Sequence, residues 1–153
     1  MEAATRYREE TKRGRCGGLV VLGGLDFGRG APRDWATKGP LALGVRVVMA
    51  VSFDQKYLTN LVKSGILPLQ ISRKVWEELK GEESLNIDLK DDATKELTPG
   101  EMISIQIVKN NEEKREDNIA YIEAKLRLDN SYEVELFRNG GVIRDMLRKL
   151  NIS

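Results

Sequence analysis

The sequence contains no histidine and a single cysteine, Cys16. Without histidine, the commonest general acid–base and the commonest zinc ligand are missing. One cysteine permits neither a disulfide framework nor a cysteine-rich metal or iron–sulfur site. Any catalysis by this chain must therefore use carboxylates, Lys, Tyr, Ser or Thr. No apolar stretch reaches the roughly 20 residues a membrane-spanning helix needs. The segment from Met1 to Arg15 lacks the apolar core of a secretion signal, and Glu2, Glu9 and Glu10 argue against a transit peptide. A cytoplasmic protein without a membrane partner is the expectation. Net charge is only +1, so no global pull toward nucleic acid or membrane exists. Internal repeats, low-complexity tracts and linker-like stretches are also lacking.

The 153 residues are enough for one compact domain with a real core. Charge is unevenly spread: residues 1–52 carry nine Lys/Arg and five Asp/Glu, whereas the middle and C-terminal parts are slightly acidic. The basic part contains the most distinctive stretch, Gly23-Gly24-Leu25-Asp26-Phe27-Gly28-Arg29-Gly30-Ala31-Pro32-Arg33-Asp34-Trp35-Ala36. It follows the apolar run Leu19–Leu22 and precedes helical spacing, so it reads as strand, glycine loop, helix start. Four glycines in eight residues let the backbone turn sharply and approach a ligand. Pro32 suits a first helical turn. A helix start fed by such a loop favours anions, and Arg33 adds a fork-shaped donor for carboxylate or phosphate. A tight turn with a surface arginine is the plainer alternative, because a lone glycine-rich loop is a weak signal.

Taken in order, residues 2–18 read as an N-terminal helix (2–12) and a basic, glycine-rich loop containing Arg13, Arg15 and Cys16. Residues 19–80 alternate strand and helix. Leu19–Leu22 is a fully buried type of strand. A helix runs from Pro32 to about Leu43, burying Trp35, Leu41 and Leu43, with Gly39-Pro40 bending it. Val45–Val51 is a central strand. Ser52 caps a helix from Phe53 to Lys63. Ile66–Ile71 is a strand whose Pro68 suggests an edge or a bulge. Ser72 caps a short helix to about Leu79, where Trp76 is core and Glu77-Glu78 a solvated face. This alternation predicts a small parallel sheet. Residues 84–128 are strand-rich: Ser84–Leu89, Met102–Val108 and Asn118–Leu128 alternate as antiparallel strands do, around a turn at Leu97–Gly100 and a charged loop at 110–117. Residues 131–150 carry two helices. Ser131 caps the first, with Glu133 and Glu135 on its surface. Asn139-Gly140-Gly141 breaks it. Val142, Ile143, Met146, Leu147 and Leu150 then share one face of the last. The fold class is α/β, a single domain with a second group of strands.

The run LVVLGGLDFGRGAPRDWATKGPLALGVRVVMAVSFDQKYLTNLVKSGILPLQI resembles the C-terminal swivel domain of the aconitase superfamily, most closely the cytosolic aconitase and iron regulatory protein branch. There the loop reads Gly-x-Gly-Ser-Ser-Arg-Asp-Trp-Ala-Ala-Lys-Gly-Pro, followed by Leu-Gly-Val, Ser-Phe, Asn-Leu and Gly-Ile-Leu-Pro-Leu. EVELFRNGGVIRDMLRKL is similar to that branch's closing segment, and EAATRYREE to the helix before the active-site strand. The resemblance covers about Glu2 to Leu150 and implies a swivelling β/β/α fold. It also implies roles. The family's general-base serine falls on Ala31, its second serine on Pro32 and its carboxylate-holding arginine on Arg33, with Gly28 and Gly30 in the substrate loop. Asp34 and Trp35 match the family. The Phe-Glu-Arg-Ile-His-Arg-Ser-Asn-Leu segment becomes Phe53-Asp54-Gln55-Lys56-Tyr57-Leu58-Thr59-Asn60-Leu61, which loses the Arg/His character.

Three functions follow from the resemblance. The first is a catalytically silent swivel domain acting by interaction through the face around Arg33, Trp35 and Lys38. A methyl group at position 31 cannot take a proton, and proton transfer is worth about 10²–10⁴-fold. The second is an RNA-hairpin-binding module in which Arg33, Asp34 and Trp35 contact RNA and Arg13, Arg15 and Arg29 add charge. There Trp35 would stack on a base, against the plainer reading of Trp35 as core. The third is the small subunit of a two-chain hydro-lyase, as in isopropylmalate isomerases, whose swivel-only chains are of similar size. No metal site is expected in the chain. A 4Fe-4S cluster is expected only on a large aconitase-type partner.

Overall fold

The computed structural model describes residues 17–30, 34–89, 97–108 and 119–150. The N-terminal helix at 2–12, Arg13, Arg15, Cys16, Ala31, Pro32, Arg33 and the loop at 110–117 lie outside the described residues. Among those described, six strands form one sheet in the order β1-β2-β3-β6-β5-β4. The strands are β1 (Leu19–Gly23), β2 (Val45–Ala50), β3 (Leu67–Gln70), β4 (Ser84–Ile87), β5 (Met102–Val108) and β6 (Ile119–Leu126). Five helices accompany them: α1 (Trp35–Ala42), α2 (Gln55–Lys63), α3 (Arg73–Glu78), α4 (Ser131–Arg138) and α5 (Val142–Lys149).

β1, β2 and β3 are parallel, as the strand–helix alternation requires. β3 then pairs antiparallel with β6, which pairs with β5, which pairs with β4. The second group of strands therefore extends the parallel unit instead of forming a separate layer. Ile103, Ile105 and Ile107 of β5 face Ile122, Ala124 and Leu126 of β6 in one core, while the alternate residues point outward. A smaller core of Val45, Val48, Tyr57, Leu61 and Ile66 lies between the parallel strands and α2.

Several expectations need correction. β1 occupies the end of the sheet and is half-buried, not fully buried. β3 is internal despite Pro68, which is itself buried. Pro68 is tolerated because the β3–β6 ladder is only two residues long, pairing Leu69 with Leu126 and Gln70 with Lys125. The Pro68 carbonyl accepts from Arg127 N at 3.0 Å, so the missing N–H falls at that ladder's end. Ser52 does not cap α2. The Asp54 carboxylate does, accepting from Lys56 N at 3.0 Å and Tyr57 N at 3.1 Å. Asn130, not Ser131, caps α4 by accepting from Glu133 N at 2.9 Å. Glu133 returns the favour by accepting from Asp129 N, which gives that surface carboxylate a structural task. Ser72 does cap α3, accepting from Val75 N at 3.2 Å. Pro40 sits inside α1 without ending it, and Gly44, at φ 99°, stops it.

The ends of α2 and α4 fit together through glycine. A β-carbon on Gly65 would lie 2.7 Å from the Gly140 carbonyl carbon, and one on Gly141 would lie 2.6 Å from the Lys63 carbonyl oxygen. Backbone packs on backbone there, and α5 starts from that contact. Asp145 is the buried residue of α5, at 3% exposure. It accepts from Asn139 Nδ2 at 2.7 Å and pairs with Lys149 at 3.0 Å. The apolar residues Ile143, Met146, Leu147 and Leu150 are exposed instead.

Candidate functional site

The carboxyl ends of parallel strands are where open α/β sheets hold ligands, because the connecting loops diverge there. Here the loop after β1 and the loop after β2 are tied together. Asp26 N donates to Ser52 Oγ at 2.7 Å, Phe27 N to the Ser52 carbonyl at 2.9 Å, and Asp54 N to the Phe27 carbonyl at 3.0 Å. Phe27 and Phe53 form a parallel bridge. The Phe27 ring meets Tyr57 edge to face, with centroids 5.6 Å apart and planes at 84°. Burial pushes the Tyr57 phenol above its usual range.

The glycine spacing is explained by this bracing. Gly28 has φ 90° and lies directly on Tyr57, whose ring fills the space a β-carbon would need. Gly30 also has positive φ, 79°, but faces open space. Asp26 is the one non-glycine with positive φ, 47°, among the described residues. The Ser52 hydroxyl and an exposed pairing with Arg29 at 3.6 Å accompany that geometry. Trp76 of α3 reaches within 3.8 Å of where a Gly24 β-carbon would be. Trp76 is thus partly exposed beside the loop and not core.

Gly28 and Gly30 therefore belong to one braced loop. Asp34 and Trp35 stand at the start of α1. The Asp34 carboxylate accepts from Lys38 Nζ at 3.0 Å, and its carbonyl accepts from Thr37 Oγ1 at 3.0 Å. Thr37 also bonds Ser64 Oγ at 2.8 Å, which ties α1 to the end of α2. Trp35 is 77% exposed and Leu43 is exposed too, which corrects the expectation that α1 buries them. Leu41 is half-buried against the smaller core. The supports Ser52, Asp54 and Tyr57 were missed as parts of the site. Only the Ser-x-Asp spacing before a helix hinted at Asp54.

The donor set does not fit an iron–sulfur cluster: the chain has no histidine and one cysteine. No three His, Cys, Asp or Glu side chains gather as a metal-binding group among the described residues. No helix among them is long and apolar enough to cross a membrane.

Residues 1–74 match the family model for the aconitase C-terminal domain. The chain is 37% identical to aconitate hydratase A of Legionella pneumophila, over 98% of this chain and 16% of that protein. It is 34% identical to the Bacillus subtilis enzyme of the same name, over 97% of this chain and 15% of that one. The chain thus spans about a sixth of these relatives' length. Among solved structures it resembles a 3-isopropylmalate dehydratase from Methanocaldococcus jannaschii, with TM-score 0.62 and 22% identity over 94% of this chain and 72% of that one. That likeness is one of fold, and the six-stranded sheet, parallel at one end and antiparallel at the other, accords with it. The chain belongs to the aconitase superfamily, as a C-terminal swivel domain.

Proposed function

We propose that this chain is the swivel part of an aconitase-type hydro-lyase assembly, working on a large partner that carries the 4Fe-4S cluster. That is the small-subunit reading. The family resemblance gives Arg33 the task of gripping a substrate carboxylate as a charged fork, with Gly28 and Gly30 bringing backbone close to it. The same resemblance puts Ala31 where the proton acceptor belongs, so this chain brings binding without its own base.

The observation that carries this reading is Trp35. A tryptophan next to the substrate loop, 77% exposed, offers a large area for burial against another surface. Met146 and Leu150 on α5 are further exposed apolar side chains. The silent interaction domain differs from this reading only in whether the docked assembly turns over. The RNA-hairpin reading uses the same Trp35 and gains no separate observation, so the assembly reading is preferred.

The test is a binding titration of the chain with the cluster-loaded large subunit of an isopropylmalate isomerase, followed by a cis-aconitate hydration assay. Saturable binding that falls at least about tenfold in Trp35→Ala is expected. No binding, with turnover indistinguishable from the large subunit alone, would reject the assembly.

A further inference from the structure

A concavity lies outside the braced loop, since none of residues 23–30 lines it. It is a cleft of about 440 Å³ between α1, the end of α2 and the turn that starts α5. That size falls in the range of small-molecule sites. Leu41, Val142 and Ile143 form an apolar wall. Asn60, Lys63 and Arg144 supply the polar side.

The charge balance of this cleft is uneven. Its one carboxylate, Asp34, already binds Lys38 at 3.0 Å. Lys63 and Arg144 have no ion pair, and the Asn60 amide has no side-chain hydrogen bond, among the described residues. The two cations come from different elements that both line this cleft. Arg144 folds back over the Gly140 turn, its Nη1 3.2 Å from where a Gly140 β-carbon would be. The same turn abuts the Lys63 carbonyl through Gly141. Two unpaired cations beside an apolar wall, in a concavity of molecular size, suit a ligand with one charged end and one aliphatic end.

We propose that this cleft binds a small aliphatic carboxylate. The carboxylate is received by Lys63 and Arg144, with Asn60 as a further donor, and the hydrocarbon lies on Leu41, Val142 and Ile143. A bare inorganic anion would leave the apolar wall wet, and a neutral isostere would leave both cations unpaired.

The test is a ¹⁵N NMR titration of the full chain with 3-methylbutanoate, run beside inorganic phosphate and the neutral 3-methylbutanamide. Saturable shifts centred on Gly140, Gly141 and Ile143 are expected with 3-methylbutanoate. Binding by phosphate and by the amide should be at least about fivefold weaker. Lys63→Gln and Arg144→Gln should each weaken 3-methylbutanoate about three- to tenfold. Both positions are exposed, so their well-dispersed spectra would confirm folding in the same experiment. The proposal is overturned by the absence of saturation, by shifts centred on Gly28 and Gly30, by equal binding of amide or phosphate, or by unchanged affinity in both variants.

Discussion

Gly28 lies against the side chain of Tyr57, with φ 90° and no room for a β-carbon. Two penalties therefore meet at one residue: left-handed backbone and steric overlap with a buried ring. Gly28→Ala should destabilise the fold by about 2–4 kcal/mol, since the αL cost is roughly 1–2 and the displaced ring adds a packing cost. Gly30→Ala, with φ 79° but nothing within 4 Å, should show only the backbone cost of about 1–2 kcal/mol. Urea midpoints of the two variants check this. Equal losses would mean that the Tyr57 contact does not hold the loop.

Asp54 and Ser52 lie two residues apart and do different work. Asp54→Ala removes the α2 cap and should cost about 1 kcal/mol. Ser52→Ala leaves α2 capped but frees Asp26 N, whose 2.7 Å bond to the hydroxyl holds the glycine loop. It should accelerate amide exchange at Asp26 and Phe27 while leaving the amides of Lys56 and Tyr57 unchanged. Hydrogen exchange by NMR separates the two outcomes. Loss of protection in α2 on Ser52→Ala would restore the hydroxyl as the cap.

Local chemistry made much of this fold legible before any coordinates. Val45–Val51 is β-branched and apolar, and β2 is internal, flanked by β1 and β3. The 84–128 segment alternates, and its strands are antiparallel. Asn139-Gly140-Gly141 ends a helix where it should. What stayed hidden depends on neighbours distant in sequence. Pro68 looked like an edge residue because the length of the β3–β6 ladder is not written in the strand itself. Trp35 looked like core because helical spacing reveals a face but not what covers it. On α5 the apolar spacing was right and the buried residue was Asp145, held by Asn139 and Lys149. The braced loop was visible as glycines. Its brace, Tyr57, comes from the second helix and could only be seen folded. The residues that bear most on chemistry, Ala31 and Arg33, rest on the family resemblance alone.

The Asp145 cluster should give a pH signature. The hydrogen bond from Lys149 leads in holding the Asp145 carboxyl below its ordinary range, and Asn139 adds to it against the opposing effect of burial. Its stabilisation is present above the unfolded carboxyl value of about 3.9 and is lost as pH falls through the lower folded value. Lys149 is shifted up, by its bonds to Asp145 and then Glu135. Its contribution is complete below the unfolded value of about 10.4 and disappears as pH rises through the higher folded value. Asp145→Asn should therefore lower the urea midpoint at pH 7, with the gap to the parent closing at both ends. A gap constant from acid to alkaline pH would show that only packing was lost.

Position 31 gives the sharpest chemical test of the proposed assembly. The family resemblance puts a serine there as proton acceptor, and this chain has alanine. If the chain docks on a cluster-bearing partner and lacks only that base, Ala31→Ser returns the missing group while leaving docking through Trp35 untouched. Restoring a general base is worth about 10²–10⁴-fold, so cis-aconitate turnover by the assembly should rise by a substantial part of that range. Pro32 next to it has no backbone N–H to offer an anion, so the double variant with Pro32→Ser should exceed the single one. KM separates binding from chemistry: the gain should appear in kcat, because Arg33 is present in parent and variant alike. Arg33→Lys in the serine background should then raise KM, since a point charge cannot grip a carboxylate at two oxygens. Docking that stays tight with no gain from either serine would place the base outside this loop.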